Sequence, residues 1–204
     1  QFYKYIEGLW GELQPDSLGQ GPIGELSYQP KEIASNGQHK MLELLRCECC
    51  GELFIGGNCN SHSAPFAMTL NSPDITRIPN MQATPMVQRK KYDDYAVFWP
   101  SSRKANNTKQ ILTYPDSDDV LKSDVSNGGA PHNNQTPYGF WKEAWLNTCD
   151  GTIHTTIDTA NTGSPSIHGF VYEGVGLQNA QALPCQCPAC LKNYSRRNSV
   201  KSPI

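Results

Sequence analysis

The chain has little excess charge and no long apolar run. Its net charge is −2 over 204 residues, so contact with nucleic acid would need a local basic patch rather than a polycationic surface. No stretch of about 18 or more apolar residues is present, which predicts that nothing spans a membrane. The first residues also lack a secretory signal pattern and an initiator methionine. The missing initiator methionine, together with an end directly after a basic stretch, predicts a fragment of a larger protein, which we expect to be cytoplasmic.

The sequence also lacks the motifs of common catalytic sites. It has no glycine-rich loop ending in Lys-Ser or Lys-Thr that would cradle a triphosphate, and no Ser or Cys beside a base in a nucleophile elbow. The five histidines show no metal-ligand spacing to one another. Asp116, Asp118 and Asp119 lie in a polar stretch and indicate a solvated loop. We therefore predict no catalytic residues, no small-molecule substrate and no enzyme activity for this chain.

Glycine and proline are frequent, with 17 and 15 residues, which favours short strands joined by loops over long helices. The clearest strand is Tyr95–Trp99, which is aromatic and apolar throughout. An Asp-Gly pair at 150–151 predicts a hairpin turn between apolar segments 141–146 and 152–157. Residues 101–137 contain few apolar side chains, and we expect them to form an exposed, flexible loop.

The eight cysteines are concentrated at two places. Cys47 and Cys50 form one Cys-x-x-Cys knuckle, and Cys187 and Cys190 form a second. A two-residue spacer lets both thiolates of a knuckle face one ion, and two knuckles provide the closed, tetrahedral four-sulfur site of structural zinc. Gly51 follows the first knuckle and supplies the positive φ that a tight turn often needs.

Other interpretations of the cysteines remain open. An iron–sulfur cluster also takes four thiolates, although the paired spacing favours zinc. Cys49 and Cys185 adjoin the knuckles and could replace a neighbour as ligand. We expect Cys59 and Cys149 to be buried packing residues. A secreted, disulfide-rich binding domain is the remaining interpretation, with which three Asn-x-Ser/Thr sequons agree.

These features predict an α+β fold that is rich in β structure. We expect a single zinc-binding domain over 1–204, in which zinc-ribbon-like paired knuckles close around a large inserted β subdomain. The knuckle halves lie at about 41–56 and 183–194, and the inserted subdomain at about 57–182. Such an arrangement would be unusual for a zinc ribbon, whose halves are normally much closer in sequence.

Three short strings resemble one protein family. They are FYKYIEGLW at 2–10, LLRCECCGELF at 44–54 and LPCQCPAC at 183–190. With these strings, the chain resembles the zinc-binding region that follows the two motor domains in large superfamily 2 helicases of bacterial anti-phage defence systems, of the Druantia and DISARM type. The chain itself lacks the motor motifs, so the resemblance implies an accessory domain without helicase or ATPase activity of its own.

The resemblance implies structural zinc at the two knuckles, and the motor domains of a parent helicase as partners. It also raises the expectation of DNA contact. Two basic stretches suit phosphate contact with an interleaved tyrosine that could stack on a base. One is 89–91 beside Tyr92, and the other is the tail around Tyr194. The tail residues expected to bind nucleic acid are Lys192, Arg196, Arg197 and Lys201. The alternative function is a protein–protein interaction module stabilised by zinc.

Overall fold

The computed structural model describes residues 8–47, 49–70, 92–102, 110–111, 138–156, 163–175, 182–184 and 186–192. Ten strands run through these ranges: β1 Trp10–Leu13, β2 Ile23–Ser27, β3 Met41–Arg46, β4 Leu53–Asn58, β5 Phe66–Ala67, β6 Tyr95–Trp99, β7 Gln110–Ile111, β8 Tyr138–Asn147, β9 Thr152–His154 and β10 Ser166–Val175. The only helical turns in these ranges are short 3-10 turns at Asp16–Leu18 and Tyr92–Asp94. The β-rich expectation is confirmed, but the described residues contain no α-helix. None of their helical segments is long and apolar enough to cross a membrane.

All ten strands belong to one antiparallel sheet in the order β2-β1-β3-β4-β6-β10-β8-β9-β5, with β7 paired to β8. The sheet closes on itself beyond β5, where Thr69 pairs with Asn58 at the end of β4. Two backbone hydrogen bonds of 2.8 Å join these residues. The six strands from β4 to β5 therefore form a closed ring, while β3, β1 and β2 continue the sheet from β4 as a wing. The wing also contacts the ring, since the N–H of Lys40 donates to the Thr148 carbonyl at 2.7 Å.

Two hairpins are present, and the second was predicted from the Asp-Gly pair at 150–151. β3 and β4 pair antiparallel up to Arg46 and Leu53, so the first Cys-x-x-Cys lies in the connection between them. β8 and β9 pair around the predicted Asp-Gly turn, where Gly151 has a φ of 76°. The strand predicted at Tyr95–Trp99 is β6. β10 pairs with β8 along its whole length, from Ser166 to Val175.

Side chains alternate between the two faces of the sheet, and both faces are buried. One face carries a mostly aliphatic cluster, which we call the inner cluster. Its members are Leu13, Leu42, Leu44, Ile55, Cys59, Phe66, Met68, Ala96, Phe98, Ala144, Leu146, Ile153, Ile167 and Val171. The opposite face carries an aromatic outer cluster. It comprises Leu45, Cys47, Phe54, Tyr92, Tyr95, Val97, Trp99, Trp141, Phe170, Tyr172, Ala182 and Cys187.

The outer cluster joins the two cysteine knuckles to the sheet. Trp141 lies at its centre, with its ring 5.8 Å from Phe54, 6.1 Å from Trp99 and 5.3 Å from Tyr172. Trp99 and Trp141 are each only 1% exposed. Burial of such large rings is a main apolar contribution to stability.

A buried carboxylate holds the wing together. Glu12 on β1 is 5% exposed and accepts hydrogen bonds from the backbone N–H of Glu25, from Asn36 Nδ2 and from His39 Nδ1, at 3.0, 2.6 and 3.0 Å. Burial alone would raise the pKa of Glu12, but these bonds outweigh it and hold that pKa below its ordinary value. The carboxylate form of Glu12 is therefore the form that these hydrogen bonds stabilise in the wing.

Several expectations concern parts of the chain that the structure describes only partly. The first described strand begins at Trp10, and residues 1–7 lie outside the described ranges. Most of the loop predicted at 101–137 lies outside them too. Strands from the interval 57–182 share one sheet with β3 and β4, and the inserted subdomain stays a prediction.

Candidate metal centre

Four cysteine sulfurs meet at one point beside the outer cluster. The Sγ atoms of Cys47, Cys50, Cys187 and Cys190 all lie within 4.8 Å of one another. Two distances between the knuckles, Cys47–Cys190 and Cys50–Cys187, are both 3.8 Å. A tetrahedron with Zn–S bonds of about 2.3 Å has edges of about 3.8 Å. The four thiols are therefore positioned to hold one metal ion.

The backbone of the two knuckles follows one pattern. In the first, the N–H of Cys47 donates to the Glu52 carbonyl at 2.8 Å, and the N–H of Gly51 donates to the Cys47 carbonyl at 2.9 Å. In the second, the N–H of Cys187 donates to the Lys192 carbonyl at 3.2 Å, and the N–H of Leu191 donates to the Cys187 carbonyl at 2.9 Å. Each bond of one knuckle has its counterpart at the same spacing in the other.

The residue after each second cysteine has a left-handed backbone. Gly51 has a φ of 76° and Leu191 a φ of 60°. Glycine adopts this conformation readily, whereas for leucine it is strained. The turn at Gly51 was predicted from the glycine. The left-handed turn at Leu191 was not predicted, because leucine rarely has a positive φ.

The four thiols differ in exposure. Cys47 and Cys187 are each 1% exposed, Cys190 is partly buried and Cys50 is exposed. Burial raises the pKa of Cys187 and of Cys50 above the ordinary thiol value. Without an ion the cluster therefore favours protonated thiols, and a divalent cation would have to displace protons as it binds. Metal affinity should consequently fall as the pH falls.

Different contacts hold the two knuckles in place. The first lies in the connection between β3 and β4, and Glu52 Oε1 accepts a 2.9 Å hydrogen bond from Trp99 Nε1. The second follows Ala182, which is 1% exposed within the outer cluster. Leu183 and Ala189 pack against the same cluster. In the described parts of 182–192, no residue belongs to one of the ten strands, although Gln186 forms a β-bridge. Packing on the outer cluster and the four sulfurs therefore contribute to the attachment of this segment.

The other cysteines lie outside the group as far as the structure describes them. Cys49 is exposed on the first turn, and Cys185 lies outside the described residues. Cys59 is 6% exposed, which confirms its predicted burial. The same prediction for Cys149 was wrong because that residue is exposed in the β8–β9 turn, where its N–H donates to Asn147 Oδ1 at 2.8 Å. The described cysteines form no disulfide.

A cysteine–histidine contact that the sequence left unassigned lies at the end of β4. Cys59 Sγ is 3.5 Å from His62 Nε2, and the His62 ring stacks on Tyr92 at 3.9 Å. Burial raises the pKa of Cys59 to about 11 and lowers that of His62. Both groups are therefore neutral near neutral pH, which makes the pair unsuitable as a thiolate nucleophile and its base.

Of the tail residues predicted to bind nucleic acid, the structure describes only Lys192, and the prediction of a nucleic-acid site stays a prediction. Lys192 is exposed at the end of the second knuckle, and the other tail residues lie outside the described ranges, as does 89–91. Tyr92 is 8% exposed, and its hydroxyl accepts a 2.9 Å hydrogen bond from the N–H of Gly174. The prediction that Tyr92 stacks on a base was therefore wrong, because its ring is already packed inside the protein.

Comparison with known proteins gives no further identification. No protein-family model, no curated protein and no solved structure matches the chain. The relation to defence helicases therefore rests on the three short strings alone.

Proposed function

We propose that the chain is a structural zinc-binding domain in which one ion fastens the segment 182–192 to the sheet. The observation that carries this proposal is the four-sulfur group, with its 3.8 Å distances between knuckles. Four protein ligands leave no open position for a substrate or an activated water, which is the arrangement of structural rather than catalytic sites.

The spacing of the sulfurs also supports zinc over an iron–sulfur cluster. A cluster of several iron atoms separates its cysteine ligands more widely than a single ion does. Here all four sulfurs lie within 4.8 Å of one another, which suits one ion with a preference for soft, tetrahedral ligands.

Metal analysis of the purified protein tests this proposal. We expect about one zinc per chain, with only sulfur in the first shell by X-ray absorption. Cys47→Ser and Cys187→Ser should each abolish binding. If zinc is present at about 1,000 times its Kd, they should also remove about 4 kcal/mol of folding free energy. Cys149→Ser is the matched control and should keep the metal, because its thiol is exposed and outside the group. Metal-free protein, or nitrogen in the first shell, would overturn the assignment.

We further propose that this domain is an accessory of a larger DNA helicase of anti-phage defence, and that it serves nucleic-acid contact or domain docking. The three strings and the basic tail support the first role. Apolar side chains beside the edge strand β2 support docking, since Leu26 is 56% and Tyr28 is 70% exposed and an edge strand can pair with another chain.

Binding of single-stranded DNA across a salt series tests the nucleic-acid role. With Arg196→Glu and Arg197→Glu combined, affinity should fall, and the log–log salt slope should decrease by about one for each phosphate that the tail no longer neutralises. Lys142→Glu is a control on the described surface, where that lysine is exposed and 3.4 Å from Glu173. If the tail substitutions leave affinity and slope unchanged, the tail does not bind DNA and docking is the remaining role.

A further inference from the structure

The four sulfurs of the proposed metal site also make two contacts between the knuckles. Each 3.8 Å contact between knuckles joins a sulfur that solvent reaches to one that it does not. Cys50 is exposed and faces Cys187, which is buried; Cys190 is partly exposed and faces Cys47, which is buried. An oxidant from solvent would therefore meet Cys50 or Cys190 first, with an inner thiol already in contact with the oxidised sulfur.

We propose that the centre is an oxidant-sensitive switch, in which peroxide converts the zinc-bound thiolates into two disulfides between the knuckles, Cys47–Cys190 and Cys50–Cys187, and zinc is released. This inference rests on the proposed zinc site for its metal step, whereas the pairing of the sulfurs is argued from the two 3.8 Å contacts between the knuckles. Cys50 is the primary modification site because it is the most exposed of the four.

The chemistry balances for each pair. The Cys50 thiolate attacks one oxygen of hydrogen peroxide, the O–O bond breaks, and a sulfenic acid and hydroxide form. The Cys187 thiolate then attacks the Cys50 sulfur, so that an S–S bond forms, the S–O bond breaks and a second hydroxide leaves. Each pair gives two electrons to one peroxide, and two protons from solvent convert the two hydroxides to water. Zinc leaves unchanged as Zn²⁺ because no thiolate remains to bind it.

The fold prepares this pairing at small conformational cost. Forming an S–S bond of about 2.04 Å requires each pair to close by about 1.8 Å from the observed 3.8 Å. Packing of Ala182, Leu183 and Ala189 on the outer cluster already places the second knuckle beside the first, so the bridge adds little further cost of loop closure. The two disulfides would join the same segments as the metal, so the oxidised, zinc-free protein should keep the second knuckle attached.

The experiment treats the zinc-loaded full chain with hydrogen peroxide. Zinc release is followed with a chromogenic chelator, and disulfides are mapped by mass spectrometry of unreduced peptides. We expect about one zinc released for two peroxides consumed and two bridges formed, with the 47–190 and 50–187 connectivity. A Cys49→Ser, Cys149→Ser double variant should give the same result, because neither exposed thiol belongs to the group. Thiol reduction followed by zinc addition should restore the starting protein.

The contrary outcomes are distinct. Bridges within a knuckle, bridges to Cys49, Cys149 or Cys185, bridges between chains, or oxidation to sulfinic acid without bridging would each overturn the inference. A protein that never contains zinc would overturn the proposed function instead. In that case, mild oxidation of the reduced, metal-free chain still decides the pairing, since the 47–190 and 50–187 bridges support it and any other connectivity contradicts it.

Discussion

The two knuckles share one backbone pattern, yet the surrounding chain holds them in different ways. The first closes a hairpin whose strands β3 and β4 lie inside the sheet, and the Glu52–Trp99 bond attaches it further. The second is a turn between described segments that lie outside the ten strands. An ion between them would therefore bind a first knuckle that the hairpin has already formed. It would also hold in place the second knuckle, which lies outside the ten strands. The metal should matter much more to the second knuckle than to the first.

Metal removal gives the largest expected difference between the knuckles. In hydrogen exchange followed by NMR, chelation should speed exchange at the amides of Cys187 and Leu191 by more than about 100-fold, which corresponds to about 2.7 kcal/mol. The amides of Cys47 and Gly51 should change by less than about tenfold, because the β3–β4 hairpin persists.

Amides of the β8–β10 ladder, such as that of Val171, are the internal reference for global unfolding, and their change on chelation measures the folding free energy that zinc contributes to the whole domain. Equal loss of protection in both knuckles would show that the hairpin also depends on the ion. No loss in either would show that packing on the outer cluster holds the second knuckle without metal.

The same contrast explains which features could be predicted from the sequence. The first knuckle, its hairpin and Gly51 form one local pattern, and local patterns carry their own turn chemistry. The 187–190 knuckle was predicted from the spacing of its cysteines. The left-handed conformation of Leu191 was not predicted, because leucine rarely adopts a positive φ. β2 was missed as well. Its residues Ile23–Ser27 follow a glycine-rich stretch, and the strand is fixed by pairing with β1 and by the hydrogen bond to Glu12.

The closed ring and the exposure of Cys149 could not be predicted from local sequence patterns, because both depend on contacts or turns outside the local segment. The closed ring depends on the pairing of Thr69 with Asn58, which lie in separate segments and form a single bridge that no alternation of residues indicates. The exposure of Cys149 depends on where a turn falls rather than on the chemistry of cysteine. The preference of a free cysteine for burial was thus overridden by its position in the β8–β9 hairpin.

The smallest expected effect compares the left-handed residue that ends each knuckle. At both positions the protein with glycine should be more stable than the protein with alanine by about 0.5–1 kcal/mol. A Cβ in the left-handed conformation costs about 1–2 kcal/mol of strain. This strain exceeds the gain of about 0.4–1 kcal/mol that alanine brings by restricting the unfolded chain. At 51 the comparison is wild type with Gly51→Ala, and at 191 it is Leu191→Gly with Leu191→Ala. Urea unfolding in zinc-saturated buffer measures both differences.

Open space around the glycine makes the comparison interpretable. A Cβ at Gly51 would meet no atom within 4 Å, and the same holds at Gly37, whose φ is 72°. Gly37→Ala is thus a matched control that should cost as much stability as Gly51→Ala without changing zinc affinity. Leu191→Gly should lie near wild type, because relief of strain is offset by greater freedom of the unfolded chain and by reduced packing of a side chain that is 48% exposed. If alanine equals glycine at 191 but not at 51, the second turn relaxes in solution, and the two knuckles are equivalent only in sequence spacing.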